Sequence, residues 1–308
     1  MSDEPRSIET SGPESAVSGG AIGRRAMLAG AVTAAGAVWA GGRASVQAAA
    51  PATGKAVQKG RIKQSVCGWC YSSLKLEQLA AAAAEMGLVG IDLVDPKDFG
   101  ILKDHQLVGT MTTSHGLTKG LNHPDNHEEC IAAIVRGIEA TAKEGWRNVI
   151  CFSGNRNGLD DETGLRNCET ALKKVVPIAE KAGVILNMEL LNSRVDHADY
   201  QCDRSAWGIE LVKRVGSDHF KLLYDIYHMQ IMEGDVIRTI KDNHKYFGHY
   251  HTAGNPGRHE MDDTQELNYR GIVQAIIDTG YDGYLGQEFI PTRDPLVSLR
   301  EAVVLCDV

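Results

Sequence analysis

Glu189, Asp225, His251 and Glu288 share one pattern in this 308-residue chain. Each closes a short, mostly apolar run: Leu186-Asn187-Met188-Glu189, Leu222-Leu223-Tyr224-Asp225, His249-Tyr250-His251 and Leu285-Gly286-Gln287-Glu288. The intervals are 36, 26 and 37 residues, each about one strand, one helix and their connections. Three carboxylates gathered at one point repel each other and resist ionising together. A divalent cation removes that conflict. Three carboxylates with one imidazole suit Mn2+ or Mg2+, and Co2+ or Zn2+ are also compatible. A single acid at a strand end is more simply a helix N-cap or an ion-pair partner. Four of them in consecutive units favour a metal site.

The elements that must position these residues alternate regularly. Short apolar runs over 64–67, 89–93, 107–112, 148–152, 184–189, 221–225, 246–251 and 283–288 predict eight strands. Helical periodicity over 76–86, 128–143, 164–182, 205–215, 269–279 and 295–306 predicts the segments between them. Gly87, Gly145, Gly183 and Gly280 stand where helix C-termini need a left-handed residue. Repeated strand-then-helix order implies a parallel sheet with right-handed crossovers. Eight such units, with no GxGxxG after the first strand, predict an α/β fold of the (β/α)8 TIM barrel type over 51–308. In such a barrel the ends of the strands converge on one mouth, where chemistry is done.

The first fifty residues read differently. A polar stretch expected to be disordered precedes Arg24-Arg25. A weakly apolar Ala/Val/Gly run and small residues near Ser45-Val46-Gln47-Ala48 follow. This is the order of a cleaved export signal of twin-arginine type, so the expectation is passage through that export machinery to the periplasm or the extracellular space. With 32 basic against 40 acidic residues the formal charge is -8, and no Lys/Arg run appears, which argues against nucleic-acid binding as the main activity. The seven cysteines are scattered and odd in number, unlike a disulfide framework. Cys67-Gly-Trp-Cys70 alone has motif spacing. It reads as small apolar residues on the first strand, with a Cys67–Cys70 disulfide left open for an exported chain.

Three strings carry a resemblance. Tyr224-Asp225-Ile226-Tyr227-His228-Met229-Gln230, Arg258-His259-Glu260 and Glu266-Leu267-Asn268-Tyr269 resemble the hydroxypyruvate isomerase family of the xylose isomerase-like barrels, to which the ketose 3-epimerases are related. The likeness extends over about residues 63–306. It implies Glu189, Asp225, His251 and Glu288 as metal ligands, with Glu189 and Glu288 as the carboxylate pair that removes and returns a proton. It implies His228, Arg258 and Asn192 as substrate-binding positions. Two departures blur the substrate. His251 stands where the hydroxypyruvate isomerases often carry Gln and the epimerases carry His, and Leu190 stands where epimerase-like proteins often carry Pro.

The implied activity is an isomerase that shifts a proton next to a carbonyl in a small sugar or keto acid. A cation would polarise the carbonyl and steady the enediolate. Arg258 would grip a substrate carboxylate, or else pair with Glu260 or Asp262. His259 and Glu260 are expected to fix Arg258. The alternatives are a ketose 3-epimerase or an enzyme of 3-keto sugars, which an exported location suits, and an exported sugar-binding barrel without turnover. His115, just after the third strand, is a further substrate-binding candidate. His249 shares the face of His251, Trp69 lies just past the first strand, and His123 and His127 are expected in a solvent-facing loop or at a helix start. A homo-oligomer is compatible with these readings.

Overall fold

Alternation of apolar and small residues drives the strands, and the computed structural model, which describes residues 54–308, closes them into a barrel. The export-signal expectation for residues 1–50 lies outside the described residues. Eight parallel strands pair in chain order, β1 to β8, with β8 returning to β1. They are β1 (Lys63–Cys67), β2 (Gly90–Val94), β3 (Val108–Thr112), β4 (Asn148–Cys151), β5 (Ile185–Glu189), β6 (Phe220–Asp225), β7 (Phe247–Thr252) and β8 (Tyr284–Gln287).

The six predicted helices appear as α1 (Leu76–Met86), α3 (His127–Lys143), α4 (Asp161–Ala182), α5 (Ser205–Val215), α8 (Tyr269–Asp278) and α9 (Pro295–Cys306). Three more were not expected: α2 (Phe99–Asp104), α6 (Ile226–Met232) and α7 (Val236–Asn243). The first two have six and seven residues, too short to show a period. Gly87 and Gly183 close α1 and α4 with φ of 88° and 69°, as helix C-caps require.

Period two along each strand sorts its side chains between the barrel interior and the helix layer. Outward residues such as Leu186, Met188, Leu222, Tyr224, Tyr250 and Leu285 are fully buried under the helices. Inward, Glu189 and Asp225 at the ends of β5 and β6, and His251 one residue before the end of β7, reach the mouth, and Glu288 continues β8 by donating its amide to the Thr252 carbonyl at 2.9 Å. One layer below lie Asn187, Leu223, His249 and Gly286, each two residues earlier on the same face. Leu223 packs there with Met111 and Ile150 in a small cluster separate from the main core. Among the described residues no helix is long and apolar enough to cross a membrane.

Candidate metal and substrate site

The four strand-end residues converge. One ligand atom from each of Glu189, Asp225, His251 and Glu288 lies within 4.8 Å of the other three, and all four residues are buried. His251 Nδ1 stands 3.0 Å from Glu288 Oε2 and 3.5 Å from Glu189 Oε1. Asp225 divides its work. Its Oδ1 accepts the His228 amide at 2.9 Å and so caps α6, whereas Oδ2 has no hydrogen-bond partner. Glu189 Oε1 and His251 Nδ1 likewise lack hydrogen-bond partners. Buried polar atoms are normally satisfied, and an unpaired one costs about 1–3 kcal/mol. Three such atoms, of types that bind hard or borderline cations and gathered with a third carboxylate, fit a divalent metal.

The charge balance points the same way. Burial, then the charge of Glu288, pushes the Asp225 carboxyl well above the usual range and raises Glu189. Burial also opposes ionisation of Glu288, but His251 and Arg258 outweigh it and hold that carboxyl low. Without a cation, burial and mutual repulsion therefore disfavour the ionised forms of Asp225 and Glu189.

Arg258 does not pair with Glu260 or Asp262; those two take Arg293 instead, at 3.6 and 3.0 Å. Its Nη2 holds Glu288 Oε2 at 2.7 Å, and its guanidinium lies over the rings of Trp69 and Tyr227, 5.1 and 5.6 Å from their centroids. The Trp69 indole donates to Glu288 Oε1 at 2.9 Å, so Trp69 also helps orient that carboxylate. His259 and Glu260 do not fix the Arg258 side chain. His259 Nδ1 donates to the Ile290 carbonyl at 2.9 Å, and Glu260 accepts from Thr292 and Ser298, so both hold the segment between β8 and α9. Arg258 itself sits at φ 59°, an uncommon conformation for a residue with a side chain, in the turn that aims it inward.

His228 and Asn192 form a directed pair. Asn192 Oδ1 accepts the amides of Val195 and Asp196 at 2.9 and 3.0 Å, which fixes the amide orientation. Its Nδ2 then donates to His228 Nδ1 at 2.6 Å. A neutral His228 must carry its proton on Nε2, and that nitrogen is buried without a partner. Burial, reinforced by Arg258, lowers His228 well below the ordinary histidine range, so the neutral form persists.

His115 is not joined to this group. Its Nδ1 donates to the Gly116 carbonyl at 3.0 Å, its Nε2 accepts the Phe152 amide at 3.3 Å, and its ring packs edge-on against Phe152. It lines a separate cavity with Ser114, Lys119 and Glu129. His127 opens α3, at a helix start, and is buried with Nε2 on the Leu121 carbonyl at 2.9 Å, and His123 is half-buried against two main-chain carbonyls. Cys67 and Cys70 are both buried free thiols.

Asp92 was missed. It is fully buried inside the barrel, with Oδ2 2.6 Å from His249 Nε2 and 3.0 Å from His251 Nε2, and Oδ1 accepting from Thr110. The signal was available: one acid in the middle of the apolar run 89–93.

Residues 71–303 match the xylose isomerase-like TIM barrel family, and the chain belongs to that family. The resemblance to hydroxypyruvate isomerases holds as well. The chain is 26% identical to hydroxypyruvate isomerase of Escherichia coli over 231 residues, 71% of this chain and 89% of that protein. It is 39% identical to 2-oxo-tetronate isomerase of Cupriavidus necator over 113 residues, 37% of this chain and less than half (43%) of that relative's length. In fold it is similar to 3-keto-D-glucoside 4-epimerase from E. coli, with TM-score 0.66 at 18% identity over 80% of this chain and 98% of that one.

Proposed function

We propose that this chain is a divalent-metal-dependent isomerase of hydroxypyruvate isomerase type, moving a proton alpha to a carbonyl in a small keto acid or sugar. The observation that carries the reading is the juxtaposition at one buried mouth of two carboxylates, Glu189 and Glu288, with Asp225 and His251. Its relatives named as hydroxypyruvate and 2-oxo-tetronate isomerases support it. Glu189, Asp225, His251 and Glu288 would hold the cation, with Mn2+ or Mg2+ favoured by the oxygen-rich set and Co2+ or Zn2+ next. When bound, it supplies Lewis-acid polarisation of a carbonyl and its neighbouring hydroxyl.

The protein's own groups do the rest. Glu189 and Glu288 remove the proton from the carbon beside the carbonyl and return it to the neighbouring one. His228 offers Nε2–H to a substrate oxygen, in the tautomer that Asn192 selects. Arg258 Nε, buried and without a partner, is a second donor into the site and favours an acidic substrate, while Nη2 orients Glu288. Trp69 and Tyr227 hold the guanidinium plane in place.

A second reading, a ketose 3-epimerase or an enzyme of 3-keto sugars, is favoured by His251 at the third ligand position and by the twin-arginine pattern at Arg24-Arg25. Export to the periplasm or beyond, and assembly as a homo-oligomer, belong to the same proposal. The two readings separate when Mn2+-loaded protein is offered hydroxypyruvate, ketoses and a 3-keto glucoside and the products are resolved by NMR. Tartronate semialdehyde from hydroxypyruvate supports the isomerase. Turnover of the keto sugar alone replaces it with the epimerase.

A further inference from the structure

We infer that Asp92 is a positioning residue for the metal site: it fixes the orientation of His251 and keeps a proton on its Nε2, so that Nδ1 is the nitrogen turned toward the cluster. The inference rests on the metal reading above and deepens it.

The backbone is built to deliver this carboxylate. In β2 the ladder skips a residue on β3 between Ile91 and Asp92, and then skips Leu93 before Val94 pairs with Thr112. Leu93 takes φ 62°, in the left-handed region. Such irregularities re-aim one side chain at the cost of local pairing, and here the side chain is Asp92. Its Oδ2 receives His251 Nε2 at 3.0 Å and His249 Nε2 at 2.6 Å, while Oδ1 receives the Thr110 hydroxyl. All of these partners are buried. An ionised carboxylate only accepts, so His251 must carry its proton on Nε2. The Cys67 thiol, 3.5 Å from the same nitrogen, packs beside that proton. His251 Nδ1 is then left to face Glu189 and Glu288.

Space for the pair comes from β8. A Cβ on Gly286 would stand 2.8 Å from Asp92 Oδ2 and 2.9 Å from His251 Cδ2. Any larger residue there would part the two groups or displace the ring. Carboxylate partners of metal-bound histidines typically raise metal affinity 10- to 100-fold.

The test titrates metal-free wild type, Asp92→Ala and the isosteric Asp92→Asn with Mn2+, counting free Mn2+ by EPR. Nitrogen-15 histidine NMR of the Zn2+-loaded proteins then reads the His251 ring. Asp92→Ala is expected to weaken Mn2+ binding about 10- to 100-fold, and Asp92→Asn to weaken it less. Wild type should show a downfield, exchange-protected His251 Nε2–H that Asp92→Ala loses, a signature that a merely structural role would not move. Variants that bind Mn2+ within twofold of wild type overturn the role of Asp92. So does a wild-type His251 without a proton on Nε2, which needs no variant to fold. A wild type that takes up no Mn2+ overturns the metal reading itself and the inference with it.

Discussion

Gly286→Ala isolates what a single methyl does to the site. The φ of Gly286 is not in the left-handed region, so alanine suits its backbone and only space is at issue. The added Cβ would meet Asp92 Oδ2 at 2.8 Å and His251 Cδ2 at 2.9 Å, about half an ångström inside ordinary contact. Neither neighbour is the free end of a flexible chain. Both are fully buried, and Asp92 is further held by His249 and Thr110. Overpacking of this kind costs about 1–3 kcal/mol. In a barrel of this size that lowers Tm by roughly 2–10 °C, read by circular dichroism without metal. The larger effect should fall on Mn2+ binding, weakened about tenfold or more as the Asp92–His251 contact is stretched. A variant with wild-type Tm and unchanged Mn2+ affinity would show that the barrel relaxes around the methyl, and would refute the claim that Gly286 holds the space for this pair.

Other consequences are more local. Trp69→Phe keeps an aromatic face for Arg258 but removes the indole donor to Glu288, so kcat should fall about 5- to 10-fold with little change in Tm; an unchanged kcat would leave Trp69 only a stacking role. Glu260 gives a pH-dependent contribution to stability. Burial alone would push its carboxyl up, but the Thr292 amide and the Ser298 and Thr292 hydroxyls bring it from the ordinary 4.5 down to about 2. Because the folded value is the lower one, this stabilisation is present above about pH 4.5 and is lost as pH falls toward 2. Glu260→Gln should therefore cost about 2 kcal/mol in urea unfolding at pH 7. The difference from wild type should narrow at pH 3.5, and a constant difference across that range would contradict the assignment.

The barrel was legible because eight strand-helix units repeat with few exceptions, and the strand ends could be read residue by residue. Glu189, Asp225, His251 and Glu288 fall together because each shares the phase of its strand, a local property that sequence displays. What was not legible came from pairings between distant segments. Chain neighbours offered Glu260 or Asp262 as the alternative partners of Arg258, yet it turns toward Glu288 thirty residues away. His115 stands at a strand end, but its ring nitrogens are taken by the main chain of Gly116 and Phe152, which no spacing rule reveals. Asp92 was readable as an anomaly in an apolar strand. Its partners were not, because β2 meets β7 residues only across the closed barrel interior. The short helices α2 and α6 escaped because one or two turns do not establish a period.

Proton transfer beside a carbonyl is the role proposed for Glu189 and Glu288. It is tested most directly by incubating Mn2+-loaded protein in D2O with hydroxypyruvate and with candidate keto sugars, with and without EDTA. After the metal is removed for NMR, loss of the C–H signal next to the carbonyl is followed. The expected result is exchange that EDTA abolishes and that Glu189→Gln and Glu288→Gln each reduce by at least about a hundredfold. Exchange at the wild-type rate in both variants, or none with any substrate despite one tightly bound metal, would contradict it.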